Sequence, residues 1–560
     1  MIKKRIRHIQ RYRDIVYAFT RYGFGFVMKE LGLLDLLKLP KRDLEGANEQ
    51  LQRRTTGERI RMFLEDLGPT FVKIGQIAST RPDIIPADII LELEKLQDRV
   101  SLFPFEEVKK IIEEEFAEPL EVSFAEFQEV PLAAASIGQV HYAVLQTGEK
   151  VAVKVQRPYI KKVIETDLEI LQDLARLAES RLDWGARYPI RDIVEELARS
   201  IREELDYENE GRNADRIANQ FKNDPTILIP KVYWEYTTSK VLTMEYYEGT
   251  KLNEVDKLDE QGFDSKVIAE RIVNAIFQQI LLDGFFHGDP HPGNILALPG
   301  EVIVFMDFGM VGRLTSEMKN HIASFVIALM RQNTVEVVKA ITNMGLVPDD
   351  VNVTQLRSDV DKLREKYIDV PFSQMSVGTA VNELFSVAYR HNIQLPTDLT
   401  ILGKSLLTLE GTVEKLNQEI SIIAVAEPFG RQLLMERLNP KNVAGKAWSN
   451  FTEYGDILQE FPKTVKDLTS IMKKGKMQIE ITTPELDNLL QKLNRISNRL
   501  SFSIVLLAFS IIMVGVIIGA SLSGQTSPLL SNIPAIEIGF GISTIMFVWL
   551  LYSIFKSGRF

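Results

Sequence analysis

The sequence predicts an α+β fold of two lobes, with helices added before the first lobe and a pair of membrane-spanning helices at the end of the chain. Three observations lead to this prediction. The segment 151–155 alternates β-branched residues, as a half-buried strand does, and carries one lysine. Further along, segments with helical periodicity surround a loop in which an aspartate is followed, after four residues, by an asparagine. Near the C-terminus, two long runs contain no charged residue.

The loop at 286–296 predicts a site for metal and phosphate. Asp289 and Asn294 lie in this loop, and Asp307 opens an Asp-Phe-Gly sequence after a short apolar run. In the protein-kinase fold, an aspartate placed like Asp289 faces the substrate hydroxyl, and groups placed like Asn294 and Asp307 hold the divalent ions that neutralise a triphosphate. Carboxylate and amide oxygens also suit Mg²⁺. The expected fold is therefore bilobal and protein-kinase-like, and the expected cofactors are ATP and Mg²⁺.

A lysine and a loop for the phosphates are expected ahead of this motif. In kinases, a strand lysine such as Lys154 contacts the α- and β-phosphates. The residues expected to cover the nucleotide are Ala133, Ala134, Ala135, Ser136, Ile137, Gly138, Gln139 and Val140. The alanines carry a methyl group where kinases have glycine, so the backbone cannot approach phosphate as closely. Ser136, Gly138 and Gln139 are still expected to donate to phosphate, so nucleotide geometry is altered and binding is retained.

The segment 240–249 is predicted to be a strand that enters a hinge between the lobes. Backbone groups near Glu245 and Tyr246 are expected to form hydrogen bonds with adenine. Helices predicted at 264–283 and 316–330 frame the catalytic loop, as the second lobe of this fold requires.

An acidic run is expected to supply a carboxylate for Lys154. Glu204 and Glu208 are four residues apart, and so are Asp206 and Glu210. Each pair therefore shares a face of a continuous predicted helix. One face can pair with Lys154 while the other meets another group. The spacing alone does not choose among these carboxylates.

Composition excludes several classes of site. The chain has no cysteine, which excludes disulfides, thiolate zinc sites and cysteine nucleophiles. Its formal charge of -10 does not favour nucleic acid as a partner. His287 and His291 are four residues apart, but Pro290 and Pro292 prevent a helix there. Structural hydrogen bonds within the loop are expected of these histidines, and a zinc site is not.

Two uncharged runs, 500–522 and 538–555, predict a transmembrane hairpin. Positive residues lie at its outer ends and not in its loop: Arg495, Arg499, Lys556 and Arg559. The positive-inside rule then predicts a cell-membrane protein with two spans, whose catalytic body and both termini are cytoplasmic. A hydrophobic hairpin that forms a homodimer is the alternative. Gly515 and Gly519 have a small-residue spacing that suits packing between the spans or between two protomers.

The N-terminus alternates basic and apolar residues. Its basic residues are Lys3, Lys4, Arg5, Arg7, Arg11 and Arg13. An amphipathic helix of this kind favours contact with anionic membrane lipids. The alternative is an ordinary surface helix with a solvated basic face, and the predicted hairpin at the other end of the chain favours the membrane.

These predictions divide the chain into six segments. They are a basic amphipathic helical region (1–56), a helical extension (57–128), a first lobe with a helical insertion (129–250), a second lobe with a helical extension (251–426), a helical stalk (427–498) and the transmembrane hairpin (499–560).

A segment ahead of the first lobe carries a resemblance. Residues 67–83 read Leu-Gly-Pro-Thr-Phe-Val-Lys-Ile-Gly-Gln-Ile-Ala-Ser-Thr-Arg-Pro-Asp and contain a Lys-x-Gly-Gln motif. Leu-Gln-Asp follows at 96–98, Glu-Leu-Asp-Tyr stands at 204–207, and His-Gly-Asp-Pro-His-Pro-Gly-Asn stands at 287–294. Together with the alanine-rich loop, this set resembles the UbiB/AarF family of atypical kinase-like proteins. The resemblance covers roughly 57 to 346, and the predicted hairpin is similar to that of bacterial members.

The resemblance implies a regulatory role for the Lys-x-Gly-Gln helix. In that family this helix lies across the mouth of the active site, where a protein substrate would otherwise dock. Lys73 is therefore implied to pair with Glu204 and Asp206, and Gln76 to reach the same region. The catalytic residues that the resemblance implies are Asp289, Lys154 and Lys73, with Lys154 paired to Glu210.

The resemblance also implies a function in the biosynthesis of isoprenoid quinones. An occluded mouth admits water but not a peptide, so a membrane-anchored ATPase that acts on or presents quinone-like lipid intermediates is expected. Quinone-biosynthesis enzymes are expected partners. Two alternatives stay open: a small-molecule or lipid kinase, and a nucleotide-binding pseudokinase that acts as a scaffold.

Overall fold

The computed structural model describes residues 2–33, 53–96, 102–134, 136–182, 190–330, 334–343, 351–367 and 376–426, with isolated positions after them. The chain forms two compact units, 1–444 and 445–560. The predicted stalk (427–498) and the predicted transmembrane hairpin (499–560) lie outside the described ranges. Within the part of the chain that is described, no helix is both long enough and apolar enough to cross a membrane.

Helices form the beginning of the chain. They are α1 (Ile2–Arg21), α2 (Gly25–Glu30), α3 (Thr56–Leu67), α4 (Pro69–Ala78) and α5 (Ala87–Leu93). A capping box starts α3, because the Thr55 side chain accepts from the Glu58 amide and the Glu58 side chain accepts from the Thr55 amide. Gly68 then adopts a φ of 93°, which favours glycine, and Pro69 begins α4 at once. The Lys-x-Gly-Gln motif lies on α4.

The predicted N-terminal helix is present, but part of its apolar face lies inside the protein. Ile15 and Val16 are fully buried in a cluster with side chains of α3 and α4. Arg11, one of the basic residues behind the predicted membrane contact, donates from Nε to Asp167 Oδ1 at 2.7 Å. Protein contacts therefore occupy these positions. The predicted contact with anionic lipids stays a prediction for the rest of the helix. Ile9 and Arg13 are exposed, and the side chains of residues 2–8 lie outside the described part of the chain.

The first lobe is built on a five-stranded antiparallel sheet with the order β1-β3-β4-β6, to which β2 adds by pairing with β3. Its strands are β1 (Phe124–Phe127), β2 (Ala133–Ala134), β3 (Gly138–Leu145), β4 (Lys150–Gln156) and β6 (Val241–Glu245). The strand predicted at 151–155 is confirmed as β4. Val153 and Val155 are fully buried on one face, so strand alternation places Lys154 on the other.

The predicted start of the first lobe at residue 129 is wrong. Helices α6 (Phe105–Phe116) and α7 (Leu120–Ser123) and strand β1 all precede it. Val108 and Ile112 of α6 are fully buried in one cluster with the valines of β4. Burial of an apolar helix face against the sheet thus assigns this segment to the lobe and not to the extension.

Three helices form the insertion: α8 (Ile160–Arg181), α9 (Ile190–Glu204) and α10 (Tyr207–Gln220). The continuous helix predicted through Glu204 and Asp206 is wrong, because α9 ends at Glu204 and Asp206 is the N-cap of α10. The Asp206 side chain accepts from the Glu208 amide at 3.2 Å. Aspartate satisfies the first amides of a helix well, and here this preference divides the acidic run in two.

The second lobe contains a sheet with the order β5-β10-β9-β7 and a ribbon of β8 and β11. The strands are β5 (Ile227–Leu228), β7 (Thr250–Lys251), β8 (Phe285–His287), β9 (Ile295–Leu298), β10 (Val302–Phe305) and β11 (Val311–Arg313). Strand β5 lies in the range predicted for the first lobe, 129–250, but it pairs in parallel with β10. The predicted division of the lobes is therefore also wrong at this point.

Helices complete the second lobe and its extension. They are α11 (Val255–Glu260), α12 (Ser265–Phe277), α13 (Ser316–Met330), α14 (Thr334–Asn343), α15 (Val353–Tyr367), α16 (Val377–Arg390) and α17 (Thr397–Leu416). The helix predicted at 264–283 is confirmed, because α12 continues into a π-helical turn, Gln278–Asp283. The helix predicted at 316–330 is confirmed as α13.

A buried polar network joins the N-terminal helices to α9 and α17. Arg81 donates two hydrogen bonds of 2.9 Å to Asp83 and one of 2.8 Å to Glu196. Asp83 also accepts from the Leu395 amide at 3.0 Å, and Glu196 accepts from Thr397. Burial alone lowers the pKa of Arg81, but the two carboxylates outweigh it and raise this pKa, so the guanidinium stays charged. The network fixes the start of α17 to the segment after α4.

Candidate active site

A buried ion pair lies on the inner face of the first lobe. Lys154 Nζ is 2.8 Å and 2.7 Å from the two carboxylate oxygens of Glu210. The side chains are only 16% and 5% exposed. Burial alone lowers the pKa of Lys154, but Glu210 and Asp307 outweigh it and raise this pKa, so the lysine carries its charge. The structure thus brings together the pair that the resemblance implied.

The two predicted metal ligands lie at one end of a hairpin. Strands β9 and β10 pair antiparallel, and beyond them the Met306 amide donates to Asn294 O at 3.0 Å. Asn294 and Asp307 therefore flank the same end. Burial alone raises the pKa of Asp307, but Lys154 and the Gly309 amide, 2.9 Å from Asp307 Oδ1, outweigh it and hold this pKa below its usual value. Asp307 is thus ionised beside a buried ammonium group.

These groups fit Mg²⁺ and a nucleotide. Among the described residues, no three His, Asp or Glu side chains cluster in a way that would hold a metal by themselves. Mg²⁺ in nucleotide sites needs only one or two protein groups, because phosphates and water complete its shell. Asn294 and Asp307 are such a set. The buried hydroxyl of Ser136 has no hydrogen-bond partner in the described structure, and it lies in the loop predicted to cover the phosphates.

The alanine-rich loop is the turn between β2 and β3; Ala133 is opposite Val140, Ala134 is opposite Gln139, and Ala135 lies outside the described residues. Ile137 is buried in the core. At Gly138, an added methyl group would lie 2.4 Å from the Tyr207 hydroxyl and 2.6 Å from Val155 O. The loop is therefore fixed on its β3 side, where only glycine fits at position 138. The methyl groups of Ala133 and Ala134 are accommodated on the β2 side.

Gln139 does not direct its side chain to the nucleotide. Its Nε2 donates to Phe103 O at 3.3 Å, and its Oε1 lies 3.3 Å from His141 Nε2. The side chain of Gln139 is therefore not available to phosphate, and donation from this residue to phosphate stays a prediction for its backbone amide alone. Alternation along β3 is the reason, because it places Gln139 and His141 on the opposite face from Val140.

Replacing Ala134 with Gly is expected to tighten the binding of MgADP by about two- to fivefold, because loss of the methyl group lets the backbone approach the phosphates more closely. Isothermal titration would measure this. Ala125→Gly, at an exposed position of β1, is the matched control and is expected to leave the dissociation constant unchanged. Equal binding by wild type and Ala134→Gly would show that the loop does not limit phosphate contact.

The backbone amides of Glu245 and Tyr246 in the hinge already donate to groups of the protein. The Glu245 amide donates to Lys231 O at 2.9 Å, and the Tyr246 amide donates to Lys150 O at 3.0 Å. The adenine contact, which stays a prediction, is therefore limited to carbonyl oxygens at these two positions. The Tyr246 ring packs edge-to-face on Tyr142, with centroids 5.1 Å apart, and provides an apolar wall beside the hinge.

Lys73 on α4 forms a salt bridge with Glu204 at the end of α9. The side chains are 17% and 22% exposed, so the pair is largely shielded from water. The charge of Lys73 also contributes to the lowered pKa of Asp307. The structure thus brings together Lys73 and Glu204, as the resemblance implied, whereas Asp206 caps α10 and lies 3.8 Å from Arg212.

Gln76, the last residue of the Lys-x-Gly-Gln motif, donates from Nε2 to Leu96 O at 3.2 Å. A methyl group at Gly75 would lie 2.2 Å from Leu96 Cδ1 and 2.8 Å from Leu64 Cδ1. These contacts hold α4 against the segment that follows α5. The motif therefore packs α4 against α3 and against the segment after α5, and it also carries Lys73.

The catalytic loop is held in part by its own histidines. His287 Nδ1 accepts from the Asp289 amide at 3.1 Å, and His291 Nδ1 accepts from the Gly293 amide at 3.1 Å. Burial lowers the pKa of both histidines. The predicted structural hydrogen bonds are confirmed.

Helix α17 supplies a residue that sequence reasoning missed. Lys404 Nζ lies 3.3 Å from Asp289 Oδ2. Two further side chains of α17, Ser405 and Thr412, donate to carbonyl oxygens of the loop at 2.9 Å and 3.2 Å. The available signal was the spacing of Ser405 and Thr412, which are seven residues apart and therefore share one face of the helix. Both are fully buried.

Comparisons with known proteins identify the family of this chain. The sequence pattern of the ABC1 atypical kinase-like domain matches residues 95–341, that of the UbiB helical domain matches 360–421, and that of the ABC1/UbiB kinase-like C-terminal domain matches 484–556. A protein of Marinobacter nauticus named probable protein kinase UbiB is 35% identical over 472 residues, which are 83% of this chain and 86% of that protein. The chain belongs to the UbiB/AarF family of atypical kinase-like proteins.

Two further relatives of this UbiB-family chain come from Synechocystis and Arabidopsis thaliana. The uncharacterized protein sll1770 of Synechocystis is 36% identical over 450 residues, 79% of this chain and 77% of its own. The chloroplastic protein Activity of bc1 complex kinase 7 of Arabidopsis thaliana is 32% identical over 523 residues, 91% and 73% of the two chains. Within this UbiB-family chain, Lys154 and Asp307 lie in the matched kinase-like domain, Lys73 precedes it, and Lys404 lies in the matched helical domain.

Proposed function

We propose that this chain is a membrane-anchored, atypical kinase-like ATPase that binds Mg-ATP and supports the biosynthesis of isoprenoid quinones. The observation that carries the proposal is the buried pair of Lys154 and Glu210 beside an ionised Asp307. This is the arrangement that the kinase fold uses for triphosphates.

The nucleotide-binding roles divide among few residues. Lys154, held by Glu210, contacts the α- and β-phosphates, and the buried hydroxyl of Ser136 donates to a phosphate oxygen. Asn294 and Asp307 hold Mg²⁺. When bound, Mg²⁺ neutralises negative charge on the β- and γ-phosphates.

The reaction proposed is hydrolysis. Asp289 accepts a proton from a water molecule as the water oxygen attacks the γ-phosphorus. The bond between the γ-phosphorus and the oxygen that bridges it to the β-phosphorus breaks, so that ADP and phosphate leave. The proton then passes from Asp289 to phosphate or solvent, which returns the site to its starting state.

Water is favoured as the acceptor because a helix lies along the catalytic loop. Helix α17 contacts this loop at Asp289 and at the carbonyl of Pro290. Lys73 of α4 is paired with Glu204, and its charge helps to lower the pKa of Asp307. A peptide in an extended conformation needs an open groove beside the catalytic loop, and α17 takes up part of that surface. The link to quinones rests on family membership and on the uncharged runs after residue 499, which suit an enzyme whose lipid intermediates partition into the bilayer.

ATP turnover by the purified full chain in anionic lipid vesicles tests the proposal. Asp307→Asn is expected to lower kcat by about 10²-fold or more, because a neutral amide stabilises less charge in the transition state. Asp259→Asn, at an exposed position on α11, is the matched control and is expected to turn over like wild type. Equal turnover by wild type and Asp307→Asn would contradict catalysis at this site.

A lipid or small-molecule kinase is the second candidate. The side chain of Asp289 is 32% exposed, so a small compound with a hydroxyl group has access that a folded protein substrate lacks. Labelled phosphate that moves from ATP to a lipid extract in an Asp289-dependent manner would favour this candidate over the ATPase. Quinone synthesis in cells that persists with Asp289→Asn would favour a scaffold instead.

A further inference from the structure

The catalytic loop itself provides no positive charge. Residues 286–296 contain neither lysine nor arginine. Its histidines, His287 and His291, use Nδ1 as an acceptor for backbone amides. A ring nitrogen that accepts carries no proton, so both rings are neutral. Phosphoryl transfer gathers negative charge on the equatorial oxygens of the moving group, and enzymes place cations against it. On the side of Asp289, this cation must therefore come from outside the loop.

Lys404 is placed to be this cation. Its Nζ lies 3.3 Å from Asp289 Oδ2, and its side chain is 26% exposed. The backbone that carries it is fixed, because the next residue, Ser405, donates to His287 O at 2.9 Å. Thr412, two turns later on α17, donates to Pro290 O at 3.2 Å. The ammonium group therefore approaches Asp289 from a fixed helix and not from a free surface side chain.

Two other lysines near the site are committed to different carboxylates. Lys154 pairs with Glu210, and Lys73 pairs with Glu204. Glu94, which follows α5 and is exposed, also interacts electrostatically with Lys404. Lys404 is thus close to the catalytic carboxylate and to one exposed acidic group.

We propose that Lys404 is a positioning residue for catalysis: it orients the carboxylate of Asp289 and places positive charge beside the phosphoryl group during transfer. This inference rests on the proposed function. It explains why a helix from outside the kinase-like core is hydrogen-bonded along the catalytic loop. Removing the charge of Lys404 should weaken stabilisation of the transition state far more than it weakens binding of the nucleotide.

Two measurements on the full-length protein test the inference. Lys404→Met is expected to lower kcat for ATP by about 10²-fold with little change in KM, and Lys404→Arg to restore most of the loss. Binding gives a readout that needs no turnover. Lys404→Met is expected to weaken the complex with MgADP and aluminium fluoride, a mimic of the transferring phosphoryl group, by about tenfold or more, while MgADP alone binds within about twofold of wild type.

Controls separate this inference from the proposed function. Lys266→Met removes an exposed charge from α12, another helix of the second lobe, and is expected to behave like wild type in both assays. The double variant Lys404→Met, Asp289→Asn is expected to be no slower than the slower single variant, because the two residues act as a unit. Wild-type kcat and wild-type aluminium fluoride binding in Lys404→Met would overturn the inference, even where Asp307→Asn abolishes turnover. If Asp307→Asn turns over normally, the proposed function fails, and the binding comparison still decides the role of Lys404.

Discussion

Replacing Lys154 with Met is expected to abolish ATP turnover and to lower the free energy of unfolding by about 3–5 kcal/mol, because removal of one member of a buried ion pair leaves an unpaired charge. Glu210 is 5% exposed, so water cannot replace the lost ammonium group. Urea denaturation of the full chain, followed by tryptophan fluorescence, measures the free energy of unfolding. Nucleotide titration measures the affinity for nucleotide.

The loss of stability in Lys154→Met should depend on pH. Burial raises the pKa of Glu210, while Lys154 opposes that rise, so removal of the lysine raises the pKa further. A group whose pKa is higher in the folded than in the unfolded state favours folding below its unfolded pKa and opposes it above. Wild type and variant should therefore have similar stability below about pH 4, and the variant should lose stability as the pH rises from there toward neutrality.

A second substitution separates stability from function. In the double variant Lys154→Met, Glu210→Gln, the unpaired charge of Glu210 is removed as well, so most of the stability should return while nucleotide binding stays lost. Lys240→Met is the matched control, since its pair with Glu115 is 46% exposed on the lysine side and worth about 1 kcal/mol or less. A double variant as unstable as Lys154→Met would mean that lost packing, and not the charge on Glu210, accounts for the loss of stability.

Arg81→Met is expected to destabilise the first compact unit by about 3–5 kcal/mol, because Asp83 would be left buried without its ion partner. The guanidinium is 8% exposed and the carboxylate 0%, so neither can turn to water. Thermal unfolding and limited proteolysis measure the change. Because Asp83 and Glu196 also hold the start of α17, new cleavage around residue 395 is expected at temperatures at which the wild-type chain resists.

The matched control for Arg81→Met is Arg176→Met. Arg176 pairs with Asp173 on α8, but the two side chains are 60% and 50% exposed, so the change should cost about 1 kcal/mol or less. Equal destabilisation by the two variants would contradict a structural role for the Arg81 network. Arg81→Lys should fall between them, since it keeps the charge but loses the paired hydrogen bonds.

Local motifs made the centre of the site predictable. Asp289, Asn294 and Asp307 lie within a short stretch, and each residue type is suited to one task, so their spacing identified a metal and phosphate site. The strand around Lys154 and the helices α12 and α13 followed from periodicity alone. The partner of Lys154 could not be chosen by spacing, because the N-cap at Asp206 divides the acidic run into two helices.

Contacts over long sequence distances were the part that the sequence did not reveal. Lys404 and Asp289 are 115 residues apart, and Asp83 and Leu395 are 312 apart. Neither pair has a periodic signature, since each partner looks like an ordinary helix or loop residue in its own segment. Gln139 is different, because alternation along β3 was available and would have directed its side chain away from the nucleotide.

The contact between Lys404 and Asp289 has a consequence for the order in which the protein is made. All groups for Mg-ATP have been synthesised once translation reaches Asp307, whereas Lys404 follows about a hundred residues later. At synthesis rates of about 5–20 residues per second, this interval lasts on the order of 5–20 s. During it, a nascent chain has its nucleotide groups without α17 along the catalytic loop, and is expected to expose Asp289 to solvent and to chaperones until translation passes the helix.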